Sequence, residues 1–138
     1  MEALHSYMTA WQADPKQVRP FFERLLDSFR NSSASLDFIV RSGVSASLRA
    51  SLSGQPGPRP LFCLVDIVED ADGRWLSACF YADMVTDPEQ RGNLVPQGLL
   101  AEDGYCFDLD GPDPDLEDYV LARVAEAREY ALRPAQVP

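Results

Sequence analysis

Four aspartates crowd one short stretch of this chain, Asp108, Asp110, Asp113 and Asp115, and closely spaced carboxylates are what a calcium loop uses. Such a loop needs oxygen donors at its positions 1, 3 and 5 and a glycine at 6. Counting from Asp108 puts Gly111 fourth and Pro112 fifth, so the pattern fails. A plainer reading fits: Asp113 and Pro114 begin a helix, and the acids sit at its positive end. Hydrolase chemistry has little to work with. His5 is the only histidine and lies in the first turn of the chain, no GxSxG occurs, and neither a histidine pair nor a CxxC offers zinc a site. The single lysine, Lys16, belongs to no phosphate loop. Carboxylates distant in sequence can meet in space, but sequence alone nominates no such pair. No catalytic residue, no metal and no cofactor is therefore expected.

Three side chains remain as candidates for binding. Arg49 stands among serines on the polar side of an alternating segment and suits a carboxylate or another anion. Trp75 and Tyr81 are the aromatics best placed to line a pocket, although aromatics in a small sheet protein are more often core.

These three must be positioned by the strand-like block over residues 36–81. Its middle alternates Val44, Ala46, Leu48, Ala50, Leu52 with Ser45, Ser47, Arg49, Ser51, Ser53, which is the period of a strand with one dry and one wet face. Residues 36–40 pair with it through a turn at Ser42-Gly43. Residues 53–60, rich in glycine and proline, form an exposed loop and the most mobile element of the first two-thirds of the chain. Residues 61–68 are apolar at nearly every position, as in a central strand, and a turn at residues 69–73 leads into a strand over residues 75–81. Folding about that turn brings Cys63 near Cys79 or Phe80, in a register uncertain by one residue.

Helical periodicity flanks the block. Leu4, Tyr7, Met8 and Trp11 make a short amphipathic helix, and Asp14-Pro15-Lys16-Gln17 reads as a capped start to the stripe Val18, Phe21, Phe22, Leu25, Leu26, Phe29. Pro20 then forces either a kink or a true start at that residue. Thr86-Asp87-Pro88-Glu89 has the spacing of a capping box, residues 93–104 read as irregular loop, and residues 105–109 as a last strand. The final helix buries Leu116, Tyr119, Val120, Val124, Ala127 and Ala131.

Length allows one domain over residues 1–138. The net charge of −10, from 22 acids against 12 bases, would repel a phosphate backbone, so no nucleic-acid partner is expected. No apolar run reaches the roughly 20 residues of a membrane span. The first residues have neither a basic nor a long apolar stretch, which places the chain in the cytoplasm. Cys63, Cys79 and Cys106 are read as buried thiols, since a reducing cytoplasm disfavours a structural disulfide.

Tyr105-Cys106-Phe107-Asp108-Leu109-Asp110-Gly111, then residues 114–121, then Tyr130 give the order strand, acidic turn, helix with a terminal aromatic. In this third of the chain the sequence resembles the YjbR-like (MmcQ/YjbR) family of small bacterial α+β proteins. That resemblance implies a family of uncertain biochemical role with a suggested DNA-binding activity, which one lysine and an acidic balance do not favour here. A looser likeness to type III secretion chaperones implies a homodimer that cradles a client.

The sequence thus predicts a two-layer α+β domain, an antiparallel sheet of about five strands with N- and C-terminal helices packed on one face. It names no reaction. The leading expectation is a non-enzymatic binding or protein-interaction module, with a protein partner or a homodimer, using the exposed sheet face and the loops at residues 53–60 and 83–104. The alternative is a small enzyme or small-molecule-binding protein with a pocket between sheet and helices, featuring Arg49, Trp75 and Tyr81.

Overall fold

The computed structural model describes residues 2–41, 45–55 and 57–133. Its elements run α1 (Glu2–Ala10), α2 (Arg19–Asn31), β1 (Ser35–Arg41), β2 (Ser45–Ser51), β3 (Cys63–Asp70), β4 (Gly73–Tyr81), a 3-10 turn (Ala82–Met84), β5 (Asn93–Leu99), β6 (Glu102–Leu109) and α3 (Pro114–Ala131). All neighbouring strands are antiparallel, in the order β1-β2-β3-β4-β6-β5. This is the α+β fold expected, with six strands in place of about five. Among the described residues no helix is long and apolar enough to cross a membrane.

Alternation decides the faces. Ala46, Leu48 and Ala50 of β2, Cys63, Val65 and Ile67 of β3, Leu76, Ala78 and Phe80 of β4, and Phe107 and Leu109 of β6 are all buried. The helices pack against that side: Tyr7 of α1 meets Phe38 edge-on at 5.3 Å, Phe29 of α2 meets Phe62 at 6.0 Å, and Tyr119 of α3 meets Phe107 at 5.9 Å. Among the described residues no helix packs on the opposite face. Of the alternating segment, Val44 and the turn at Ser42-Gly43 lie outside the described residues.

Several local expectations are corrected. The helix does not start at the Asp14 turn and has no need of a kink; of the two alternatives at Pro20 the late start is the one found, at Arg19, with Pro20 in the first turn, where a missing N–H costs nothing. The Asp14 carboxylate instead accepts the N–H groups of Val18 and Arg19. Residues 86–89 form no helical turn. Residues 93–99 are not loop but an edge strand, interrupted by a bulge between Val95 and Leu99. In the loop at residues 53–60, of which Pro56 lies outside the described residues, the Gln55 amide donates to the carbonyls of Arg59 and Leu61 and accepts from the Leu52 N–H. The β3–β4 turn is tight, closed by Gly73 at φ 125°, where a Cβ would come within 2.6 Å of Pro15 Cγ.

The cysteines are corrected too. Leu64, not Cys63, stands opposite Cys79, which puts Cys63 and Cys79 on opposite faces. Cys79 is bonded to Cys106, its direct partner on β6, with a Cα–Cα separation of 4.2 Å. Cys63 alone is a buried thiol, and burial pushes its pKa far up.

Candidate functional site

Register lines up one row across the open face: Asp37, Arg49, Leu64, Cys79, Cys106 and Asn93 are successive cross-strand partners. The next row holds Ile39, Ser47, Asp66, Ser77 and Asp108, with the Ser47 hydroxyl donating to Asp66 at 2.5 Å. Strand pleating thus gathers a polar, half-buried surface with the disulfide in its middle.

Arg49 is the unusual member. Its Nε is buried and has no hydrogen-bond partner, and among the described residues its guanidinium makes no ion pair, although Asp37 stands directly opposite. A buried N–H without a partner is costly, and a guanidinium offers a planar fork for a carboxylate. Its charge also reaches Tyr81. Burial raises that phenol's pKa, Glu102 adds to the rise, and Arg59 and Arg49 pull against it.

Tyr81 is on the same face yet only 1% exposed. The Arg59 guanidinium lies 4.3 Å above its ring, held by Asp83 at 2.7 Å and Glu102 at 2.7 Å. Those pairs, Glu102 foremost, outweigh desolvation and raise the Arg59 pKa. Here the β2–β3 connection folds over the end of the sheet and caps the aromatic.

Trp75 shares the face but not the place. Six residues before Tyr81 on β4, it is about 20 Å away along the strand. It walls a shallow depression of about 410 Å³ with Lys16, Asp70, Asp108 and Asp110. Arg49 and Tyr81 are therefore neighbours, Trp75 is separate, and none of the three lines a space between sheet and helices. His5 lines a different hollow, of about 340 Å³, between α1 and α2. Asp113 caps α3 by accepting the Leu116 N–H at 3.1 Å. Among the described residues no group of three or more His, Cys, Asp or Glu side chains is placed to hold a metal.

One constellation was not foreseen. Asp87 accepts the hydroxyls of Tyr105 at 2.6 Å and Tyr119 at 2.5 Å, and the N–H groups of Arg91 and Gly92 at 2.9 Å each. Burial pushes this carboxyl up, but the two phenols and two amides outweigh it and hold its pKa well below the usual range. Donation to Asp87 in turn raises the pKa of Tyr105, and burial with the same bond raises that of Tyr119. The signal was in the sequence twice. Asp14-Pro15-Lys16-Gln17 and Asp87-Pro88-Glu89-Gln90 make the same turn: the Gln N–H donates to the Asp carbonyl at 3.0 Å, the Gln takes φ 56° or 55°, and the carboxylate accepts the N–H groups four and five residues on.

Neither a family model, nor a curated protein, nor a solved structure matches this chain.

Proposed function

We propose that this protein is a non-enzymatic binding module whose partner lies on the open face of the sheet and places a carboxylate or another anion on Arg49. The observation that carries this reading is the Arg49 guanidinium, whose Nε is buried and unbonded and which has no ion pair among the described residues, on a face over which none of the described helices packs, in a chain where acids outnumber bases 22 to 12. A partner group there would supply hydrogen bonds that the monomer leaves unmade. A protein partner suits the breadth and shallowness of the face; nucleic acid does not suit the charge of −10. The YjbR-like kinship belongs to the same proposal, supported by the order β6, acidic turn, α3. So does a cytoplasmic setting, where cellular thiols would keep Cys79 and Cys106 reduced and the β4–β6 ladder would hold the strands together.

A second reading, a small-molecule site, is favoured at one place. Beside the Trp75 ring, three acids, Asp70, Asp108 and Asp110, stand against one base, Lys16, which pairs with Asp70 at 3.5 Å; the remaining negative charge suits a small organic cation.

Affinity capture from lysate with three baits tests the first reading. Wild type and Arg30→Gln, a change on the far side of α2, are expected to retain a partner that Arg49→Gln binds about 10- to 100-fold more weakly. Equal retention by all three baits removes Arg49 from the site. Turnover of a metabolite pool by the purified chain overturns the non-enzymatic reading.

A further inference from the structure

The two edges of the sheet are built differently. At one end β5 has Pro96, a bulge and a shifted register, all of which blunt pairing by a further strand. At the other end β1 is seven residues long, holds an unbroken register against β2 and contains no proline. Five of its seven residues are exposed, and they include Ile39 at 42% and Val40 at 46%. A long, regular edge with bare apolar side chains is a template for another strand.

The sequence of β1 says which strand. Asp37-Phe38-Ile39-Val40-Arg41 carries opposite charges two residues either side of Ile39. Laid antiparallel on a copy of itself about Ile39, it sets Asp37 opposite the partner's Arg41 and Arg41 opposite the partner's Asp37. Ile39 then meets the partner's Ile39, and Phe38 meets the partner's Val40. Among the described residues neither Asp37 nor Arg41 has an ion pair within its own chain. We infer that β1 pairs with β1 of a second copy, across a two-fold axis at Ile39, to make a homodimer with one continuous twelve-stranded sheet.

Cross-strand partners on one face lie about 5 Å apart, so both ion pairs and the isoleucine contact form together. The two-fold uses up the β1 edge of each chain, and the blunted β5 edges end the sheet, so assembly closes at two copies. The open faces merge, with the two Arg49 side chains about 20 Å apart. This inference stands on β1 and not on Arg49, so it survives or fails separately from the proposed function.

Sedimentation equilibrium over a concentration series up to about 0.5 mM tests it, a range that populates a dimer with a Kd as weak as about 1 mM. Wild type is expected to show a monomer–dimer equilibrium. Arg41→Asp, which faces only Ser45 within the chain, places Asp against Asp twice and should weaken the dimer by at least about tenfold. Asp37→Arg should do the same, with its fold checked by circular dichroism because the new side chain faces Arg49. An equimolar mixture of these two variants regains both ion pairs and should form a heterodimer, and Asp37→Arg/Arg41→Asp in one chain should restore the homodimer. Leu94→Lys on β5 and Arg49→Gln should leave it unchanged. A wild type monomeric throughout, or a dimer indifferent to these charges, overturns the inference. Should Asp37→Arg not fold, Arg41→Asp alone against wild type still decides it.

Discussion

The turns at Asp14 and Asp87 share a local sequence and a backbone, yet they do different work. Asp14 gives its carboxylate to two main-chain N–H groups and starts α2. Asp87 makes the same two bonds and adds the phenols of β6 and α3, so that one side chain ties a loop, a strand and a helix together. Beyond it the Thr86 hydroxyl and N–H both donate to Glu126 of α3, and Arg123 of α3 donates to the Thr86 carbonyl. Asp-Pro-x-Gln therefore encodes a turn. What lies around the carboxylate decides whether it is a local fastener or a hub between layers.

The largest expected effect that separates the two is Asp87→Ala, which should lower unfolding stability by about 3 kcal/mol in urea titration, since charge-assisted bonds from two phenols and two amides are lost. Asp14→Ala should cost about 1 kcal/mol, the value of a capping side chain. Equal losses would show that the phenols add nothing. Within a double-mutant cycle, Tyr119→Phe should be near neutral once Asp87 is Ala and should cost about 1 kcal/mol in the wild-type background.

Acid titration gives a further distinction. The folded Asp87 carboxyl has a lower pKa than the unfolded one, so the unfolded chain takes up its proton first as pH falls. Stability from Asp87 is full above about pH 4 and drains away on further acidification. Urea midpoints of wild type should thus fall more steeply below about pH 4 than those of Asp87→Asn; parallel curves would remove Asp87 as the cause.

The smallest effect bears on what the two turns share. Gln17 and Gln90 are held at positive φ, where glycine is at ease, so Gln17→Gly and Gln90→Gly should each be neutral or stabilising by up to about 1 kcal/mol. Gly92 is the counterexample. A Cβ there would come within 2.5 Å of the Tyr105 ring and 2.7 Å of the Phe107 ring, so Gly92→Ala should destabilise.

Where neighbouring residues alone decide a structure, this chain is readable. Alternation over residues 45–51 gave the dry and wet faces of β2, and the stripe from Phe21 to Phe29 gave α2. Arg49 was legible because an arginine among serines on the wet side must face outward. Its missing counter-charge was not, because that depends on where Asp37 and Glu102 end up. β5 left no periodic trace: six of its seven residues are exposed, and Pro96 and Gly98 look like loop. The disulfide depended on the β4–β6 register, which no local pattern fixes. Asp87 was masked by the capping-box spacing of Thr86 and Glu89, although its twin at Asp14 carried the same four-residue signature.

The bridge between Cys79 and Cys106 has a mechanical corollary. It closes a loop of sequence separation 27, which holds the whole of β5 and the Asp87 turn, so tension applied at the two chain ends bypasses them. Stretched in the oxidised form, the polypeptide would come up short by roughly 90 Å, and a motor drawing it through a narrow pore would meet two strands abreast at that knot until a reductant undid it.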